Sequence, residues 1–324
     1  MKTIFKILFA PFIWLIQACS PLGNPVDENI SNSHFYNSSK TDVIYSPNGN
    51  WFELEASKLQ ADVSSFEVLS NKFGKDKSKV YYLGGAAHDS GIDVKSFFAK
   101  EEDWMWHIGF DKNNVYVFDR EVEQGKFQTK TTIIEEANPT TFKQLNQYFA
   151  KDDISYFFDN KMIDVDYATF EQINESFHVD QNQAYYHTYQ FFKAFDVDIG
   201  SFKKMDDYFT YDKANIYYFA EYVKNRGEKQ LKIIPYTNFE NVSVLNKTHL
   251  KVDRKVFYQG FEIEKADTDS FTVINEEYAK DKQHVYFAGI LMKEADVATF
   301  HYSEKVHRYK DKKHTFQQGE VVKK

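Results

Sequence analysis

The feature that most constrains this chain is a sequence unit of 28–41 residues that recurs from about residue 61 to the C-terminus. Most copies have an Asp with an apolar residue three positions before it and an aromatic residue five positions after it. Most also have Asp or Asn, two residues, Ser or Thr, and then Phe. In five of seven copies that Phe precedes the next Asp by ten residues, and this constant spacing indicates a repeat protein. The first Asp of each copy is Asp76, Asp111, Asp152, Asp180, Asp212, Asp253, Asp281 or Asp311.

Each unit predicts a small antiparallel meander followed by one helical turn. The Asp begins a turn, because its carboxylate can accept a backbone N–H two residues on. The aromatic run after it has the composition of a β-strand. A tight reversal follows, at Ala288-Gly289, Gln259-Gly260, Asp159-Asn160 or Gly84-Gly85, and these residue types tolerate a positive φ. A further short strand and a helical turn with an Asp N-cap complete the unit.

The Phe that ends each helical turn is predicted to fill the core, as at Phe170, Phe202, Phe271 and Phe300. The fold class predicted is mainly β, a solenoid-like tandem array of short hairpin or meander repeats with one helical turn per repeat. The alternative is a propeller-like closed ring. The minimal unit of 28 residues favours the open array, because a propeller blade usually has about 40 residues or more.

The repeat resembles the DKNYY family, which is named for an Asp-Lys-Asn-Tyr-Tyr core. The copies most similar to that core are residues 76–82, 111–116 and 281–287. The resemblance covers nearly everything after residue 60. It implies a bacterial repeat protein, often exported or lipid-anchored. It implies no catalytic residues, because the family carries no assigned activity.

The N-terminus has the pattern of an export signal with a lipid attachment site. Residues 1–18 combine two lysines with an apolar run that is too short to span a bilayer. The run ends at Cys19, the one cysteine of the chain, in a context similar to a bacterial lipobox. We therefore expect Cys19 to be lipidated, and Ser20 predicts sorting to the outer membrane by analogy with lipoprotein rules. Residues 19–45 are predicted to be a flexible tether, and residues 46–324 the repeat domain.

Composition and motifs argue against several functional classes. The formal charge of −8 and the lack of a long basic run argue against binding of nucleic acid. No phosphate-binding glycine loop, no nucleophile elbow and no metalloprotease helix motif is present, so no cofactor is predicted. The recurring Asp lacks the alternating oxygen ligands of a calcium loop, and turn chemistry accounts for it. The histidines show no metal-ligand spacing, so no metal site is predicted.

Candidate binding residues lie where the copies differ. Trp104, Trp106 and His107 belong to a short acidic and aromatic insertion. The tryptophans either stack on a sugar or peptide when exposed, or face the core from one side of a strand. Two longer charged insertions, residues 121–136 and residues 221–234 with Arg226, are predicted to project from the surface.

The sequence thus predicts an exported, lipid-anchored repeat protein that acts as a non-catalytic binding or scaffold module in the cell envelope. The membrane is one partner, through the N-terminal lipid, and an envelope protein or glycan is another. The alternative is an envelope polysaccharide hydrolase whose site is assembled across repeats.

Overall fold

The computed structural model of the chain describes residues 21–50, 56–87, 91–100, 107–123, 126–220 and 230–322. These residues form nine four-stranded antiparallel sheets, grouped in two compact units, Met1–Asp164 and Val165–Lys324. Each sheet is made of four consecutive strands, so each is a meander. The prediction of a mainly β tandem array is confirmed. The described residues contain no helix long and apolar enough to cross a membrane.

The first unit contains four of the sheets, with strands β1 to β16. The strands are Leu22–Pro25, His34–Asn37, Val43–Tyr45, Ser57–Lys58; Glu67–Val68, Phe73–Lys75, Val80–Tyr82, Gly85–Ala86; Phe98–Ala99, Ile108–Phe110, Val115–Glu123, Lys126–Ile133; Lys143–Gln144, Phe149–Lys151, Tyr156–Phe158 and Lys161–Ile163.

The second unit contains the other five sheets, with strands β17 to β36. The strands are Glu171–Gln172, Phe177–Val179, Ala184–His187, Phe192–Phe195; Lys203–Lys204, Phe209–Tyr211, Asn215–Ala220, Gln230–Pro235; Val242–Val244, His249–Val252, Lys255–Tyr258, Phe261–Glu262; Thr272–Val273, Tyr278–Lys280, Val285–Phe287, Ile290–Leu291; His301–Ser303, Arg308–Lys310, Thr315–Gln317 and Glu320–Val321.

In five of the described repeats, the reversal between the third and fourth strands is a two-residue turn with positive φ at both positions. Ala288 and Gly289 have φ of 48° and 70°, as their residue types predict. In the copy that begins at Asp76, the turn lies one residue earlier than predicted. Leu83 and Gly84 carry the positive φ values, 46° and 82°, so Gly85 already belongs to the next strand.

The core lies between successive sheets of each unit and is dominated by aromatic side chains. Phe73, Tyr82, Phe97 and Phe118 form one such cluster, with Phe73 and Phe118 in edge-to-face contact at 4.9 Å between ring centroids. Gly109 allows this packing. A Cβ at Gly109 would lie 2.5 Å from Cζ of Phe97, so the strand approaches the ring closely only because the side chain is absent.

Three of the four phenylalanines predicted to fill the core are buried. Phe202, Phe271 and Phe300 have 7%, 4% and 7% of their surface exposed. Phe170 is only partly buried. Its ring stacks on the ring of His178, at 5.5 Å between centroids and 9° between planes. Because His178 already fills the strand position that other copies give to small residues such as Gly109, Phe170 is left nearer the surface.

The predicted helical turn is a short 3-10 helix in two repeats, at Ile199–Ser201 and Phe239–Asn241. In the other described repeats it is a hydrogen-bonded turn. The Asp acts as predicted for a cap, since the Asp267 carboxylate accepts the N–H of Ser270 at 3.0 Å and the Asp296 carboxylate accepts that of Thr299 at 3.1 Å.

The prediction that residues 19–45 form a flexible tether is wrong for the part that the structure describes. Strands β1, β2 and β3 lie within residues 22–45 and form a sheet with β4. Val43 and Tyr45 are 0% and 2% exposed, and they pack against Tyr81 of the next sheet. This segment folds because its few apolar residues are buried by the neighbouring repeat, which supplies the surface that it lacks alone.

Candidate binding grooves

The recurring Asp of the repeat is buried and its oxygens are occupied. Oδ1 of Asp76 accepts the N–H groups of Ser78 and Lys79, at 2.7 and 2.9 Å. Oδ2 accepts the hydroxyl of Tyr81 at 2.7 Å and the N–H of Asp62, in the preceding helical turn, at 3.0 Å. The link to Asp62 joins two of the landmarks of the repeat, so it explains their constant spacing. The same link from carboxylate to upstream N–H is made by Asp76, Asp111, Asp152, Asp180, Asp212, Asp281 and Asp311.

These hydrogen bonds set the ionisation of the buried groups. Burial alone would raise the pKa of Asp111, but hydrogen bonds from backbone N–H groups and from Tyr116 outweigh it and the pKa lies below its ordinary value. Burial and the hydrogen bond to Asp111 together raise the pKa of Tyr116 to about 12. The carboxylate stays ionised and the phenol stays protonated. The pair is therefore suited to holding a turn, and it is poorly placed to exchange protons with a substrate.

The lysine that follows the recurring Asp has a partner of its own. Lys282 pairs with Asp267 at 2.9 Å, and Lys112 pairs with Asp93 at 2.6 Å. Lys312 and Asp296 pair in the same way, at 2.8 Å. Each pair bridges the turn and the preceding helical turn at the surface. The Asp-Lys motif is thus explained by scaffold contacts within the repeat.

A second type of turn residue also recurs along the repeats, and the sequence pattern described above does not include it. Oδ1 of Asn275 accepts the N–H groups of Glu277 and Tyr278, at 2.9 and 2.7 Å, where the first strand of the repeat turns into the second. Asn174 does the same, and its amide also donates to the carbonyl of Asp206 in the next sheet at 3.3 Å. Its sequence signal is a polar residue three positions before the aromatic residue that begins the second strand of the repeat.

The insertions create a different kind of feature. In the first, residues 121–123 belong to β11 and residues 126–133 form β12, and the two strands pair as a long antiparallel ladder where a projecting loop was predicted. In the second, the described end forms β24, Gln230–Pro235, which pairs with β23 along its whole length. The two hairpins correspond, because Ile133 lies opposite Tyr116 and Ile233 lies opposite Tyr217 in the ladders. Both tyrosines are the hydroxyl partners of a recurring Asp.

A groove lies beside each of these long outer strands. Groove 1, of about 520 Å³, runs from Ile133 to the hairpin of the following sheet at Met162. Groove 2, of about 830 Å³, runs from Ile233 to the corresponding hairpin at Gly260. Ile133 and Ile233 are 37% and 54% exposed, whereas the isoleucines that follow them in the chain are buried. Each insertion therefore presents an exposed apolar side chain next to a concave surface.

The two grooves differ in charge. Groove 1 is lined by the carboxylates of Asp119, Glu135, Glu136 and Asp159 and by one lysine, Lys161. Groove 2 is lined by Asp253, Arg254, Lys255 and Glu262. Lys255 pairs with Glu262 at 2.6 Å, and Asp253 accepts the hydroxyl of Thr237 at 2.9 Å. The guanidinium of Arg254 forms no ion pair with any residue that the structure describes.

Groove 2 also lies in the repeat where the aromatic residue follows the recurring Asp by four positions, Asp253 to Phe257, where other copies have five. Asp253 has φ of 52° and takes part in a two-residue turn, so it is not the buried anchor found in the other copies. The aromatic residue of this copy, Phe257, lines the groove. The loss of one residue therefore replaces a scaffold turn by an exposed, charged edge.

Of the residues predicted from sequence to be functional, one lies in the described part of the chain. Cys19, Trp104, Trp106 and Arg226 lie outside the described residues. His107 is partly buried, and burial lowers the pKa of its imidazole although the nearby Asp119 opposes that effect. Asp119 lines groove 1, so His107 is close to this groove. Within the described ranges, no group of three or more His, Cys, Asp or Glu residues could hold a metal ion.

Sequence reasoning pointed to the insertions but missed the residues of the grooves. A signal was present, because both insertions end in a pair of isoleucines, Ile133-Ile134 and Ile233-Ile234. Which isoleucine of each pair is exposed depends on strand register, and the repeat pattern does not give it.

Comparison with known proteins identifies a family. The model of the DKNYY family matches the chain twice in succession, over residues 35–189 and 189–320. No match was found among curated proteins or among solved structures.

Proposed function

The chain belongs to the DKNYY family, and from that premise we propose that it is an exported, lipid-anchored binding module of the cell envelope. It binds a partner without chemical turnover. The observation that carries the binding proposal is the correspondence of the two grooves. Two insertions, in separate copies, extend the same strand and expose an isoleucine at the same position beside a groove.

The recurring carboxylates of the repeats support a scaffold role, because their hydrogen bonds and burial do not suit them to catalysis. The buried carboxylates of the repeats accept hydrogen bonds from backbone N–H groups and, as in Asp281, from a tyrosine hydroxyl. A general acid or base needs an oxygen within reach of the substrate and a pKa near the working pH. The Asp281 carboxylate meets neither condition, because it is 4% exposed with a pKa below its ordinary value.

Anchoring rests on the sequence around Cys19. In the proposed mature protein the thiol of Cys19 carries lipid, which holds the repeat domain at the outer membrane. Mass spectrometry of the wild-type protein from a bacterial host is expected to show a lipidated N-terminal cysteine. Cys19→Ser is expected to leave the chain unlipidated. A mature N-terminus at another, unmodified residue would contradict the anchoring proposal.

Binding is tested with the full chain against glycans and envelope extracts, with hydrolysis assayed in parallel. Arg254→Glu in groove 2 and Trp104→Ala are expected to weaken binding with little change in stability. Deletion of residues 226–229 is expected to do the same. Tyr302→Ala, at an exposed position of the last sheet, is the matched control and is expected to bind normally. Hydrolysis that disappears on changing a single carboxylate would favour the polysaccharide hydrolase instead.

A further inference from the structure

The outer strand β24 differs in length from most other sheet edges. It has six residues, and it is the last strand of its sheet. The corresponding strand of the first unit, β12, has eight residues. The other outer strands that the structure describes have two to four residues. Short outer strands are a common protection against pairing with other chains, so β12 and β24 are the exceptions.

The register of β24 determines which of its backbone groups point outward. The N–H of Tyr236 donates to the carbonyl of Ala214 at 3.1 Å, so every second residue from Tyr236 backwards bonds to β23. Lys232 and Ile234 therefore face β23 with their backbone groups. The N–H and C=O groups of Leu231 and Ile233 point away from it, and within the described residues no backbone partner meets them.

The first unit shows that such an edge can pair with another backbone. Thr129 of β12 forms a parallel bridge with Ala87 of the preceding repeat. The hydroxyl of Thr129 also donates to the carbonyl of Tyr82 at 3.3 Å. Thr129 is an outward-facing position, because it differs by an even number of residues from Ile133 along the same strand. The long outer strand of one unit thus already pairs with a neighbouring backbone at one position.

We propose that the outer edge of β24 binds an extended polypeptide segment of a partner protein, which adds a fifth strand to the sheet. The inference rests on the proposed binding function and names its ligand. Outward N–H and C=O groups that alternate along a strand are matched by another extended backbone, whose residues repeat every 3.3 Å or so. A glycan has no such alternation of donors and acceptors.

The walls of the edge specify the side chains of that segment. Ile233 is 54% exposed, lies on the same side of the sheet as Tyr217 and lines groove 2. In the same groove Arg254 is free of ion pairs with described residues, and Phe257 offers an apolar surface. The segment is expected to alternate, with an apolar residue over Ile233 and an acidic residue reaching Arg254.

The test uses the full chain and phage-displayed random peptides of about ten residues, long enough to span the strand. Selected peptides are synthesised and their affinities measured.

Ile233→Pro removes an outward N–H and no hydrogen bond to β23, so the fold is expected to persist. Its affinity for the peptides is expected to fall about tenfold or more. Ile233→Ala keeps the N–H and is expected to lose less affinity. Tyr302→Pro, at an exposed position of the outer strand β33 and away from both grooves, is the control and is expected to bind as the wild type does.

Other outcomes overturn the inference. Peptides that bind Ile233→Pro as well as the wild type would show that the β24 edge is not their site. A dimer in sedimentation that Ile233→Pro abolishes would show that a second copy occupies the edge. Glycan binding that survives Ile233→Pro, with no peptide selected, would overturn the strand-addition inference and leave the binding module standing. Hydrolysis without any binding partner would overturn the proposed function itself. Thermal unfolding of each variant shows whether it is folded.

Discussion

The hydroxyl of Tyr286 donates a hydrogen bond of 2.7 Å to Oδ2 of Asp281, five residues earlier in the chain. Both side chains are buried, at 0% and 4% exposure. The same carboxylate oxygen accepts the N–H of Asp267 from the preceding helical turn at 3.0 Å. One carboxylate therefore holds the turn, the strand and the upstream turn in a fixed relation.

Tyr286→Phe is expected to lower the free energy of unfolding by about 1.5–3 kcal/mol, the range for a hydrogen bond to a charged group. The ring stays in place, so the effect isolates the hydroxyl. Urea unfolding followed by fluorescence measures it. Tyr302→Phe, at a tyrosine that is 45% exposed, is the control and is expected to unfold as the wild type does. Equal stability of Tyr286→Phe and the wild type would show that the anchor contributes nothing.

Phe271→Ala is expected to cost about 3–5 kcal/mol of unfolding free energy, because it removes a buried ring and leaves a cavity. Phe271 is 4% exposed and belongs to the core of the second unit. Phe170→Ala changes the same landmark in another repeat, where the ring is only partly buried, and is expected to cost clearly less. Parallel denaturant titrations compare the two. A larger loss for Phe170→Ala would contradict the packing described for these copies.

Gly109→Ala is expected to destabilise the first unit by about 1–3 kcal/mol, the range for an overpacked core. The added Cβ would lie 2.5 Å from Cζ of Phe97 and 2.7 Å from Cε2 of Phe118. Gly200→Ala is the matched control, since the nearest atom to its added Cβ is 3.9 Å away. Thermal unfolding of the pair measures the difference. The close approach would be refuted by a Gly109→Ala variant as stable as the control.

Acid is expected to destabilise the fold between about pH 6.5 and pH 4, because buried histidines titrate there. Burial lowers the pKa of His34 to about 4 and that of His249 to about 4. In the unfolded chain the pKa of a histidine returns to about 6.5, so the unfolded state binds more protons than the folded state as the pH falls. Above the pKa of the unfolded state these histidines cost no stability. As the pH falls from that value to the pKa of the folded state, the free energy of unfolding decreases.

The measurement is urea unfolding of the wild type and of His249→Phe at about pH 7.5 and about pH 5. The variant is expected to lose less stability on acidification, by up to about 1.4 kcal/mol per pH unit in this window. A wild type whose stability does not change between the two pH values would rule out a role for the buried imidazoles.

The local structure of each repeat could be read from the residues, because its causes lie within a few positions. Asp281 accepts N–H groups two and three residues on, and Ala288-Gly289 adopts the positive φ values that its turn needs. Turn chemistry of this kind depends on neighbours in sequence. The aromatic strands follow for the same reason, since composition and alternation are local properties.

Other features depended on contacts between distant residues, and only the tertiary structure decided them. Strand β3, Val43–Tyr45, lies in a segment with the composition of a tether, yet it is buried against the next sheet. Phe170 occupies a core position by the repeat pattern but stacks near the surface on His178. The exposure of Ile233 follows from its register opposite Tyr217. A shift of one residue would exchange it with its buried neighbour, and pairing between strands, which no single segment specifies, sets that register.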